Sequence, residues 1–181
     1  MFSLTTTTTL RHVTPLPPSM TFSHALPYLH DHGLLIRLDP EFDSYETLPA
    51  DATMPQAKRY KVTDHMNALP AGLWGTTVSF TAEMTDIEDG VLWIIKAPLG
   101  LVQTTMWRLM RTDTLSEEDV KGVAPEERGE WSLVEDVEIK ANRMLAGTVK
   151  GKCEENWSGV HARFTKHLEE GLSKASVGAA S

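Results

Sequence analysis

Glu135 is the carboxylate whose neighbours most suggest chemistry. It stands in the run Trp131 to Ala141, where Trp131, Leu133, Val137 and Ile139 take alternate positions and Glu135 fills the remaining place. Extended backbone puts all five on one face. A carboxylate buried on an apolar wall has its pKa pushed up, which suits a general acid or base, or a group that holds a ligand hydroxyl. The competing reading is an ion pair with Arg108 or Arg111 on the neighbouring strand. A second polar set lies in Lys58 to Met66, where Tyr60, Val62, Asp64 and Met66 share a face. Tyr60 can aim a phenol at a ligand. Asp64 can serve as acid, base or orienting group, or bond backbone at a strand end.

Other candidates carry less. His30-Asp31-His32 sets two imidazoles around a carboxylate. Alternate residues on a helix diverge, so the rings would not converge on a metal, and a third ligand at suitable spacing is missing. No metal site is expected. His161 sits at the edge of a helical apolar stripe, where it could titrate near neutral pH or lie at the surface, the latter being the expectation. Cys153, the single cysteine, falls within that stripe with no base nearby in sequence, so it reads as a small buried hydrophobe.

The whole chain excludes several function classes. Its 181 residues hold 17 Lys plus Arg against 25 Asp plus Glu, a formal charge of −8. A phosphate-binding face needs a basic excess, so nucleic acid and anionic membranes are not expected partners. One cysteine allows no internal disulfide, no signal-peptide pattern opens the chain, and no apolar run is long enough for a membrane helix. A cytoplasmic location is expected. Glycine-rich phosphate loops, dinucleotide fingerprints, serine elbows and HExxH pairs are absent, so no cofactor is expected.

The elements that must position these residues form an α+β pattern. Thr-rich Phe2 to Thr14 predicts a strand, ended by Pro15, Pro17 and Pro18. A short helix is predicted over Ser23 to His32, with Ser23 as N-cap and Gly33 as its C-terminal glycine. Leu34 to Pro55 reads as irregular, with a brief strand at Ser44 to Leu48. In Trp74 to Met84 the residues Trp74, Val78, Phe80, Ala82 and Met84 alternate with Thr77, Ser79, Thr81 and Glu83, predicting a half-buried strand. Strands at Val91 to Ala97 and Leu101 to Arg111 flank a turn at Pro98-Leu99-Gly100. Thr112 to Glu130 reads as an exposed acidic loop before the last strand. Leu145 to Leu172 is the long helical pattern, with Val149, Cys153, Trp157, Val160, Phe164 and Leu168 at steps of three and four. Its glycines 147, 151 and 159 suggest close approach to the sheet or space for a ligand. One domain over 1–172 with a flexible tail over 173–181 accounts for the pattern.

This order resembles the helix-grip fold of the START-like superfamily, a curved antiparallel sheet wrapped around a long C-terminal helix. More closely, the chain is similar to an uncharacterised fungal family of START-like proteins. The residues that carry the resemblance are Val13-Thr14-Pro15-Leu16-Pro17-Pro18, Leu29-His30-Asp31-His32, Tyr60-Lys61-Val62-Thr63-Asp64, Leu73-Trp74-Gly75-Thr76-Thr77-Val78-Ser79, Ala97-Pro98-Leu99-Gly100-Leu101 and Glu135-Asp136-Val137.

The resemblance implies an internal cavity between sheet and helix, and an apolar small-molecule ligand. Trp74, Val78 and Phe80 are expected to line it, with Trp93 and Trp107 from the next two strands and Leu133 and Val137 from the last. Val149, Cys153, Trp157, Val160, His161 and Phe164 would line it from the helix. Glu135, Tyr60 and Asp64 are the expected catalytic groups of a cofactor-independent cyclase or isomerase of fungal secondary metabolism. START-like folds also host pure carriers of lipids or metabolites and chaperone activators, so both alternatives stand.

Overall fold

The computed structural model describes residues 5–65 and 77–178. Trp74, Met66 and the first part of the Leu73-to-Ser79 motif lie outside them. Seven strands form one antiparallel sheet: β1 (Thr5–Pro15), β2 (Phe42–Leu48), β3 (Lys58–His65), β4 (Thr77–Ile87), β5 (Gly90–Ala97), β6 (Leu101–Arg111) and β7 (Trp131–Asn142). Their order is β1-β7-β6-β5-β4-β3-β2. From β3 to β7 each strand pairs with its predecessor, so these elements form a meander of sequential neighbours. β1 instead pairs along its whole length with β7, His12 opposite Glu135.

Three helices cover one face: α1 (Phe22–Leu29), α2 (His32–Ile36) and the long α3 (Arg143–Gly178). α3 packs chiefly on β1 and β7, and runs past its expected end at Leu172. Asn142 caps it, its Oδ1 accepting from Leu145 N at 3.0 Å. The predicted helix over Ser23 to His32 is two helices. Thr21, not Ser23, caps α1, and Asp31 then restarts the chain as N-cap of α2 by accepting from Leu34 N. Gly33 therefore lies inside α2, against Tyr45 Oη, and ends nothing.

A further expectation changes. Gly147 and Gly151 face open space on α3, and Gly159 meets only the Arg163 side chain. The glycine pressed against a neighbour is Gly171, where an added Cβ would run into Tyr28 Oη. Glu83, set by the alternation on the face opposite Ala82 and Met84 of a half-buried strand, is nonetheless buried there between Arg59 (3.5 Å) and Lys96 (2.8 Å) on the flanking strands. The core joins Leu16, Met20 and Leu29 to Trp107, Leu133, Phe164 and Leu168. A smaller cluster holds Val137, Ile139 and Ala146, with Val149 and Cys153 against it. Among the described residues no helix is long and apolar enough to cross a membrane.

Candidate functional site

The period-two strands set residues 62 and 64 of β3, 80, 82 and 84 of β4, and 93 and 95 of β5 on one face, in register. Val62 lies opposite Phe80, Ala82 opposite Ile95, and Met84 opposite Trp93. Leu35 and Ile36 of α2 roof this patch, and the two layers leave a partly open cavity of about 80 Å³. That is roughly half the ~150 Å³ known to admit a benzene ring, so the cavity takes a group of only a few heavy atoms. Its polar lining residues are Asp39 and Asp64.

Asp64 is the exceptional group. It is 9% exposed, and its Oδ1 has no hydrogen-bond partner among the described residues. Burial, and after it the charges of Asp39, Glu41 and Asp43, push its pKa up to about 7. The reading in which Asp64 merely bonds backbone does not account for that orphaned oxygen. Asp39 and Glu41 come from the turn between α2 and β2, where Asp39 Oδ1 accepts from Glu41 N at 2.7 Å, and Asp43 from the start of β2. A carboxyl poised near neutrality among apolar walls can both take and give a proton.

A second polar cluster lies on the other half of the sheet. Glu135 has His12 on one neighbouring strand and Trp107 on the other, both in direct register. His12 Nδ1 donates to Oε2 at 2.6 Å and Trp107 Nε1 to Oε1 at 2.8 Å. Trp157 of α3 stacks flat on His12, with ring centroids 4.7 Å apart. His161, bonded through Nδ1 to Thr14 Oγ1 at 2.7 Å, brings its Nε2 to 3.7 Å from Glu135. The arginine partners expected for Glu135 are elsewhere: Arg108 pairs with Asp136, and Arg111 with Asp113 and Glu130. His161 is not at the surface but 1% exposed. Burial alone would raise the Glu135 pKa. The hydrogen bond from His12, the nearby His161 and the Trp107 indole outweigh burial and hold it at about 2.

Tyr60 belongs to a third group. Its hydroxyl lies 3.1 Å from His32 Nδ1, while His32 Nε2 donates to Asp86 Oδ1 at 2.8 Å. Burial lowers the His32 pKa against the pull of Asp86. Burial, with Tyr45, Asp86 and Asp31, raises that of Tyr60. The neutral ring thus accepts from the phenol and donates to the carboxylate. The His-Asp-His run is used up in this way: His30 bonds Ile87 O and Gly90 O, and Asp31 caps α2. Among the described residues no cluster of His, Cys, Asp or Glu could hold a metal ion.

Of the expected lining residues, Phe80 and Trp93 border the cavity. Trp107, Leu133 and Phe164 are packed core, with Val160 against them, while Val137, Val149 and Cys153 belong to the smaller cluster. Val78 lies opposite Asp64 on β4 without bordering the cavity. Burial, reinforced by Glu135, pushes the Cys153 thiol up to about 12, which makes it inert. No described residue of the 112–130 loop borders the cavity, and Val120 there is buried. Leu35, Ile36 and Asp39 were missed because their segment has no period to reveal an inward face. Val62, Ala82 and Met84 were legible from alternation as an inward face, but not as a cavity wall.

Solved structures that share the fold include the following three. Ara h 8.0201 has 14% identity and a TM-score of 0.53, over 90% of this chain and 99% of that one. A norcoclaurine synthase point mutant of Thalictrum flavum, in complex with a transition-state analogue, has 11% identity and a TM-score of 0.59, over 93% and 98%. A protein of unknown function from Staphylococcus aureus has 11% identity and a TM-score of 0.52, over 94% and 98%. At such identities the likeness concerns architecture alone, and that architecture is the helix-grip fold of a curved antiparallel sheet with a long C-terminal helix. No curated protein matches the sequence. The model of one family, described as a domain of unknown function (DUF7053), matches residues 5–170, and the chain therefore belongs to that family.

Proposed function

We propose that the cavity beneath α2 is the working site of a cofactor-independent enzyme, an isomerase or cyclase of small apolar molecules, with Asp64 as its general acid and base. The observation that carries this reading is the buried carboxyl with an unpartnered oxygen, facing apolar walls with its pKa near 7. As carboxylate it removes a proton from a carbon next to an activating group. As acid it returns that proton to a second carbon, so the net change is an isomerisation with no external reactant. Glu135, saturated by its donors and ionised at every physiological pH, is assigned to holding β1, β6, β7 and α3 together. The Tyr60–His32–Asp86 relay is assigned to fixing α2 over the sheet. A setting in secondary metabolism rests on the family resemblance alone.

The test is deuterium uptake from heavy water into a panel of small enolisable ketones. We expect exchange that rises with pH through about 7, is lost in Asp64→Asn and persists in Glu135→Gln. Equal exchange in wild type and Asp64→Asn would sink the assignment. A pure carrier is the second reading, favoured by a lining that is apolar apart from two acids. Saturable binding, with the bound compound recovered unaltered by mass spectrometry, would select it.

A further inference from the structure

We propose that the ligand of this cavity is a small organic cation, an ammonium group on a short apolar body. This rests on the cavity reading above and narrows it: the apolar molecule the cavity takes would carry one ammonium group. Asp64 offers the cavity a buried oxygen without a partner, and Asp39 borders the same space. Glu41 and Asp43, close in sequence to Asp39, add their charge at Asp64. The basic groups nearby are committed to other acceptors. Lys152 of α3 lies 3.3 Å from Glu41, His65 of β3 lies 3.0 Å from Asp43, and Arg163 of α3 donates to Leu38 O at 2.8 Å. Among the described residues no cation pairs with Asp64 or Asp39.

The choice of ligand charge follows. An anion would meet the two lining carboxyls, Asp39 and Asp64. A neutral donor could bond one oxygen but would leave Asp39 and an ionised Asp64 without a counter-charge. An ammonium group answers both, and Phe80 and Trp93 in the lining supply aromatic surface of the kind that attracts cations. The net charge of −8 also concentrates cations around the molecule. The small volume sets the size: the charged end and a few carbons fit inside. Binding would ionise Asp64, so the ligand itself converts the carboxyl to its basic form.

The experiment uses n-butylammonium, 1-butanol and butyrate, three probes of one shape and different charge. Binding to the full chain is followed by NMR of labelled Ala82 and Met84 methyls. We expect butylammonium to bind at least about tenfold tighter than butanol, and butyrate not at all. The preference should grow between pH 6 and 8 as Asp64 ionises, and should vanish in Asp64→Asn, while butanol binding is unchanged. Asp39→Asn should reduce it in part. Butanol binding as well as butylammonium, or a preference indifferent to pH and to Asp64→Asn, overturns the cation inference and leaves the cavity reading standing. Binding of none of the three overturns both.

Discussion

Asp64 and Glu135 are two buried carboxyls driven in opposite directions, and each predicts its own pH dependence. The folded-state pKa of Asp64 is about 7 against an ordinary 3.8, so folding favours its protonated form. The stability it contributes is complete below about 3.8 and lost as pH rises through 7. Asp64→Asn is therefore expected to be more stable than wild type at pH 8.5, by at most about 4 kcal/mol, and nearly equal to it at pH 4. Urea unfolding at the two pH values measures this. Glu135 is the reverse: its contribution is complete above 4.5 and disappears as pH falls to about 2. Glu135→Gln should cost about 3 kcal/mol at pH 7, because buried donors lose their anion, and the loss should shrink below pH 4. Alternation alone made both residues visible as polar groups on inward faces. Their partners were not legible, since His12 stands 123 positions from Glu135 and the acids crowding Asp64 come from the aperiodic stretch 39–43.

The secondary-structure elements were legible wherever a period was present. The strand patterns from Lys58 onward and the long helical stripe emerged with small shifts at their ends, because burial on one side imposes period two or 3.6 on the sequence. Capping geometry was read less well: Thr21 and Asp31 compete with Ser23 as helix starts, and only tertiary docking decides among three good capping residues. The glycines of α3 give a prediction with two signs. Gly151→Ala, on an open face, should stabilise by about 1 kcal/mol through helix propensity. Gly171→Ala should destabilise by about 1–3 kcal/mol, because its methyl meets Tyr28 Oη in a packed contact. Thermal melts of the two variants, and partial rescue of Gly171→Ala by Tyr28→Phe, would check both.

Taken whole, the molecule divides its one sheet between two tasks. The β1, β7 and β6 side is a packed polar lock under α3, and the β3, β4 and β5 side holds the cavity under α2. Trp93 and Trp107, with centroids 5.5 Å apart, are where the two sides touch. If the cavity alone binds ligand, filling it should remove binding and spare the fold. Ala82→Leu adds its bulk directly into that space, so we expect loss of butylammonium binding with a melting temperature within a few degrees of wild type. A drop beyond that, or retained binding, would mean that ligand sits elsewhere.

The pairing of β1 with β7 also bears on the order in which the protein assembles. Thr5 to Pro15 finds its partner only once residues 131–142 are available, so the meander from β2 to β6 can form while the first strand is still waiting. Contacts so distant along the chain carry a large loop-closure cost and slow the search. Refolding after a stopped-flow dilution from urea should thus take milliseconds to seconds. Substitutions at the His12–Glu135 contact should speed unfolding far more than they slow folding, placing that lock among the last parts of the molecule to close.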